Sequence, residues 1–107
     1  MYTKTDNFNK FWYNDQDLLH QDDGPAVESS NGTKAWYQQG QLHREDGPAA
    51  EYADGTKEWY QHGQYHRVDG PAIEYPDGPQ YWYFQGKYIE VSSQQDFERY
   101  LKLKAFW

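Results

Sequence analysis

Three blocks of 23 residues lie head to tail without a gap, and that period limits the fold more than any other feature of the chain. The blocks are LHQDDGPAVESSNGTKAWYQQGQ (19–41), LHREDGPAAEYADGTKEWYQHGQ (42–64) and YHRVDGPAIEYPDGPQYWYFQGK (65–87). Ten positions are identical in all three. They include His20, His43 and His66, the Asp-Gly-Pro-Ala runs that begin at Asp23, Asp46 and Asp69, and Glu28, Glu51 and Glu74. They also include the pairs Trp36-Tyr37, Trp59-Tyr60 and Trp82-Tyr83. A unit this short buries its apolar face only against its neighbours, so the array must fold by stacking. Upstream, Lys10-Phe11-Trp12-Tyr13 belongs to a degenerate half repeat over 8–18. At 107 residues the chain is predicted to form one domain, 1–107, made of half a repeat, three full repeats and a cap.

Each repeat reads as two strands joined by tight turns. Asn31-Gly32, Asp54-Gly55 and Asp77-Gly78 predict two-residue type I′ hairpins, which need positive φ at both central residues. Gln39-Gly40, His62-Gly63 and Gln85-Gly86 mark a second turn after each Trp-Tyr pair. Between the turns, Asp69-Gly70-Pro71 and its counterparts predict a bend or bulge, because Pro donates no hydrogen bond to a ladder. The product is an antiparallel meander growing by one hairpin per repeat. Side chains alternate along a strand, so each Trp and its adjacent Tyr face opposite ways. A Trp12–Trp36–Trp59–Trp82 ladder, with Ala26, Ala49, Ala72, Val27 and Ile73, is the predicted core side. The Tyr13–Tyr37–Tyr60–Tyr83 ladder is the predicted binding side, since Tyr tolerates half-exposure.

Composition qualifies this picture. Leu, Ile and Val together number only 10 against 21 Phe, Trp and Tyr, so the core is predicted to be thin and aromatic. Zero Cys excludes disulfides and thiol chemistry, and no apolar run is long enough to cross a membrane as a helix. Residues 15–78 hold 13 acids against Lys34, Arg44, Lys57 and Arg67, a net of −9, while both flanks are +1. So acidic a middle repels nucleic-acid backbones and anionic lipid and favours a basic protein surface. The predicted setting is cytoplasmic.

The C-terminus changes character. Ser92-Ser93-Gln94-Gln95-Asp96 is a capping-box arrangement opening a helix that lies within 92–106 and runs from about Gln94 to Lys104. Phe97, Tyr100 and Leu101 share one face, and acids early with lysines late suit the helix dipole. This helix is predicted to cap the sheet, with docking of Phe106 and Trp107 on a partner as the lesser alternative.

The pattern WYxxGxxHRxDGPAxExxDG over roughly residues 8–88 resembles MORN repeats, and in particular a His-Arg and Asp-Gly-Pro-Ala-rich variant of bacteriophage and large-virus proteins. The resemblance implies an elongated, twisted antiparallel sheet and a role in interaction rather than catalysis. It also implies a viral setting, in which the chain would inhibit a host protein, such as one of a defence system, from the host cytoplasm. His and Arg stand where the standard repeat carries further Gly, and the acidic middle opposes the phosphoinositide binding sometimes attributed to that family.

His-x-x-Asp recurs as His20/Asp23, His43/Asp46 and His66/Asp69, and with a nearby Glu could begin a general base or a metal site. A catalytic centre is normally a single asymmetric constellation, so threefold repetition points instead to turn chemistry. No catalytic residue, metal or cofactor is predicted, and the chain is read as a non-enzyme. The predicted protein-binding residues are Tyr37, Tyr60, Tyr83, Glu51, Glu58 and Glu74. The alternative is a small-ligand binder that holds a nucleotide or glycan on Trp59 and Trp82 beside Arg44 and Arg67. Pairing of those arginines with Glu51 and Glu74 is the plainer reading. Open sheet edges leave homodimerisation possible on sequence grounds.

Overall fold

The computed structural model describes residues 1–104. The predicted end of the helix at 106 and the docking role for Phe106 and Trp107 lie outside the described residues. Among these residues nine strands form one antiparallel sheet, in the order β1 (Tyr2–Thr5), β2 (Asn9–Tyr13), β3 (Val27–Ser29), β4 (Lys34–Ala35), β7 (Ala50–Glu51), β8 (Lys57–Glu58), β11 (Ile73–Glu74), β12 (Gln80–Phe84) and β13 (Lys87–Ile89). Two hairpins, β5 (Tyr37–Gln38) with β6 (Gln41–Leu42) and β9 (Tyr60–Gln61) with β10 (Gln64–Tyr65), branch off after Trp36 and Trp59. Helix α1 (Gln94–Lys104) follows. The fold is therefore the predicted mainly β meander of hairpins with a C-terminal helix. It is elongated, 46 × 32 × 18 Å, with a radius of gyration of 15.5 Å. A compact globule of this length would have about 13 Å. Strand β1 was not foreseen; it pairs with β2 from a stretch that carries no repeat motif.

The turns exchange roles relative to expectation. Both central residues take positive φ in Gln39-Gly40, His62-Gly63 and Gln85-Gly86, so the two-residue I′-like turns sit after the Trp-Tyr pairs. At Asn31-Gly32 and Asp54-Gly55 only the Gly does. There the loop has three residues, closed by Ser29 N–H to Thr33 O at 2.9 Å and Gly32 N–H to Ser29 O at 3.0 Å, and likewise at Tyr52–Thr56. Asn31 and Asp54 accept the N–H two residues on, which holds the preceding residue out of a primed turn. Gly78, followed by Pro79, adopts no positive φ at all.

Cross-strand register sorts the faces. Phe11, Val27, Ala35, Ala50, Glu58, Ile73 and Tyr81 lie in one row. Lys10, Glu28, Lys34, Glu51, Lys57 and Glu74 form the adjacent row on the opposite face, alternating in charge at every step. Opposite charges directly across strands favour this register. In β12 the alternation puts Tyr81 and Tyr83 on the first face and Gln80, Trp82 and Phe84 on the second. Val27 and Ile73 therefore sit with the tyrosines and not, as expected, beside the tryptophans, because register rather than proximity in the repeat decides their side. The fully buried alanines Ala26, Ala49 and Ala72 hold the bends, and Trp82, Ile89 and Phe97 make the one apolar cluster among the described residues.

Helix α1 starts where expected. Ser93 Oγ accepts the Asp96 N–H at 3.2 Å, and Phe97, fully buried, packs with Tyr100 and Leu101 against the sheet end. No helix among the described residues is long and apolar enough to cross a membrane.

Candidate functional site

The tryptophan face is built by a contact that repeats. The Arg44 guanidinium lies 3.8 Å from the centre of the Trp36 ring, and that of Arg67 lies 3.7 Å from Trp59. Arg67 Nε donates to Asp69 at 2.9 Å, while its Nη1 donates to the Pro71 carbonyl and to Glu74, both at 3.1 Å. Arg44 does the same with Asp46, Pro48 and Glu51. Gly47 and Gly70 make room for this arrangement: a Cβ on Gly70 would stand 2.6 Å from Arg67 Cζ and one on Gly47 3.0 Å from Arg44 Cζ. Trp82 has no arginine. Its indole N–H donates to Gln94 Oε1 at 2.8 Å, and Phe97 covers it.

The histidines tie the two ends of each repeat together. Nδ1 of His20, His43 and His66 accepts the backbone N–H of Gln39, His62 and Gln85 at 3.0, 2.9 and 2.9 Å, each 19 residues further on. These N–H groups belong to the first positive-φ residue of the next turn, so each imidazole pins the following hairpin. Turn chemistry was anticipated, but with backbone groups close in sequence rather than with a turn at the far end of the same repeat. The His-x-x-Asp pairs do not form: His20 Nε2 meets Asp22 at 2.7 Å and His43 Nε2 meets Glu45 at 3.7 Å, while Asp46 and Asp69 go to the arginines. His62 packs its ring 4.5 Å from that of His43. No cluster of three or more metal-ligating side chains occurs among the described residues.

The tyrosine face is continuous. Ring centroids run from Tyr60 to Tyr65 at 4.3 Å, Tyr65 to Tyr83 at 4.8 Å, Tyr83 to Tyr88 at 5.5 Å, Tyr88 to Tyr81 at 6.2 Å and Tyr81 to Tyr75 at 6.2 Å. Tyr75 and Tyr88 are exposed and the others half-buried. Burial first, and the neighbouring Tyr65 hydroxyl and Glu58 charge next, push the Tyr60 hydroxyl far above its ordinary value. Of the predicted protein-binding residues, Tyr60, Tyr83 and Glu58 come together here. Tyr37 keeps the same face but has Leu42 as its strand partner and joins no ring stack among those described. Glu51 and Glu74 are on the far face, held by arginine.

The predicted ligand residues divide similarly. Arg67 and Trp59 are in contact, whereas Trp82 is buried under the helix and unavailable as a platform. Beside Arg44 lies a groove of about 900 Å³ lined by Trp36, His43 and His62 and by the carboxylates Asp22, Asp23, Glu45 and Asp46. Its charge is unsuited to an anionic nucleotide. Sequence reasoning missed Tyr65, Tyr75, Tyr81 and Tyr88 as site residues, because only Tyr37, Tyr60 and Tyr83 occupy a position identical in all repeats. Comparison of the chain with protein-family models, with curated proteins and with solved structures finds no match to any of them.

Proposed function

We propose that this chain is a non-enzymatic interaction module that holds a protein partner on its tyrosine tract. The observation that carries this reading is the unbroken chain of six rings from Tyr60 to Tyr75. Tyrosines already fixed by stacking lose little entropy on binding and offer both apolar area and hydroxyls, which is why such side chains anchor interfaces. The competing small-ligand reading needs Arg44 and Arg67 free, yet each already spends its donors on two carboxylates and a carbonyl. Repetition of the histidine contact in three copies favours scaffold over catalysis. The acidic middle selects a partner with basic surface, and a host protein inhibited in a viral setting is the most specific form of the proposal.

The test is affinity capture from lysate of the cells in which the chain is made, followed by titration of the purified partner. Tyr83→Ala with Tyr88→Ala should abolish retention of a stoichiometric protein, while Arg44→Ala on the opposite face should leave it. Retention by the tyrosine variant, or loss only with Arg44→Ala, would overturn the assignment of the face.

A further inference from the structure

The repeats are near-copies, so specificity belongs where the copies differ. The residue before each Trp is Ala35, then Glu58, then Tyr81. Register puts Glu58 on the tyrosine face, directly between Ala50 and Ile73, both buried. A half-buried carboxylate between two aliphatic side chains loses hydration that only a partner restores. Three hydroxyls supply part of it: Tyr52 and Tyr60 donate to Oε1 at 3.0 and 3.4 Å, and Tyr65 to Oε2 at 3.3 Å. Tyr60 recurs in every repeat, but the other two donors vary. Tyr65 stands where the other repeats have Leu19 and Leu42, and Tyr52 where the first has Ser29.

What the carboxylate lacks is charge compensation. Glu51 and Glu74, on the other face, each meet an arginine at 3.3 and 3.1 Å. Among the described residues no cationic group lies within 4 Å of Glu58. Burial first and the Glu58 charge second push Tyr52 up to about 12, so its hydroxyl stays a donor at neutral pH.

We infer that Glu58, ringed by Tyr52, Tyr60 and Tyr65, is a receptor for a cationic side chain, a lysine ammonium or arginine guanidinium, presented by the protein partner. The carboxylate completes a charge-assisted hydrogen bond, and the net −9 of residues 15–78 steers basic groups toward it. This rests on the tyrosine-tract reading and names the chemistry of its anchor.

The rival role for Glu58 is merely to tie three hydroxyls together, and Glu58→Gln separates the two, since Gln still accepts hydrogen bonds but carries no charge. The probes are n-butylammonium and its neutral analogue n-butanol, titrated while the ring resonances of Tyr52, Tyr60 and Tyr65 are followed by NMR. The cation should shift them saturably and the alcohol should not. Glu58→Gln should weaken cation binding about tenfold or more. Tyr52→Phe, which keeps the ring and frees a carboxylate lone pair, should retain it and guards against a folding defect. No response to the cation, an equal response to the alcohol, or an unchanged Glu58→Gln variant would overturn the inference. Should Glu58→Gln also leave partner capture intact while the Tyr83/Tyr88 variant abolishes it, the anchor fails and the tract stands. Should both variants still capture the partner, both readings fail.

Discussion

Trp59 and Trp82 occupy the same position in successive repeats, yet one is covered by a guanidinium and the other by a helix. The same contrast runs along the whole row: Lys10 lies over Trp12 at 4.8 Å and Arg44 over Trp36 at 3.8 Å, while Trp82 alone is sealed by an apolar plug. A cationic cover touches water and contributes modestly, and on Trp36 and Trp59 it is supplied by the next repeat, so it can recur along the array. Phe97 excludes water from Trp82. The difference teaches that the first three tryptophans are held by small, recurring cationic contacts and the fourth by one large apolar one.

Removing the plug should therefore cost most. Phe97→Ala is expected to lower unfolding free energy by about 3–5 kcal/mol, the range for a fully buried Phe. Urea titration followed by Trp fluorescence checks this. A loss below about 1 kcal/mol, inside the range of surface changes, would show that the helix is dispensable to the sheet.

Arg67→Ala should come next, at about 1–3 kcal/mol, since it removes the ring contact and several hydrogen bonds from a side chain only 19% exposed. Arg67→Lys should recover little, because an ammonium cannot bond Asp69, Pro71 and Glu74 in the plane of a fork. The glycines sharpen the point. Gly70→Ala drives a Cβ to 2.6 Å from a guanidinium pinned against Trp59 and should cost about 1–2 kcal/mol. At Gly24 a Cβ would meet nothing closer than Gln21 Cγ at 3.9 Å, so Gly24→Ala should be neutral or stabilising by up to about 1 kcal/mol. In an Arg67→Ala background the penalty of Gly70→Ala should vanish. If it persists, the glycine serves the backbone and not the arginine.

Much of this was legible in the sequence, for stated physical reasons. The 23-residue period gave the meander, and Ser93 three residues before Asp96 marked where the helix begins. The turn types were not legible. Asn-Gly and Asp-Gly serve both two- and three-residue loops, and Asn31 and Asp54 settle the choice through their own side-chain bonds. Gln39, His62 and Gln85 take positive φ because an imidazole 19 residues back accepts their N–H, a partner no local rule supplies. The candidate site was half legible. Tyr60, Tyr83 and Glu58 share a face as alternation requires, but Glu51 and Glu74 lie one residue out of phase with Glu58, which sends them to the arginines.

The smallest expected effect concerns the histidines. His66 Nδ1 accepts a backbone N–H, so the ring must be neutral with its proton on Nε2. Burial lowers its pKa. Its surroundings do nothing to reverse this: Arg67 is adjacent in sequence, and Phe84, packed 4.9 Å from the imidazole, itself carries Lys104 at 5.2 Å. Val68 stands where the first two repeats place Asp22 and Glu45 against the ring. With the folded pKa depressed, the unfolded chain binds the proton more readily. The contribution of this contact is thus complete above the ordinary histidine value of about 6.5 and is lost as pH falls below it. Between pH 7.5 and 5.5 the wild type should lose up to about 1 kcal/mol through His66, and His66→Gln should flatten that limb. Val68→Asp gives the third repeat the carboxylate of the first two and should recover a few tenths of a kcal/mol at pH 5.5 while changing little at pH 7.5. An acid limb unchanged by Val68→Asp would mean that burial of the ring alone, and not the missing carboxylate, sets the third contact apart.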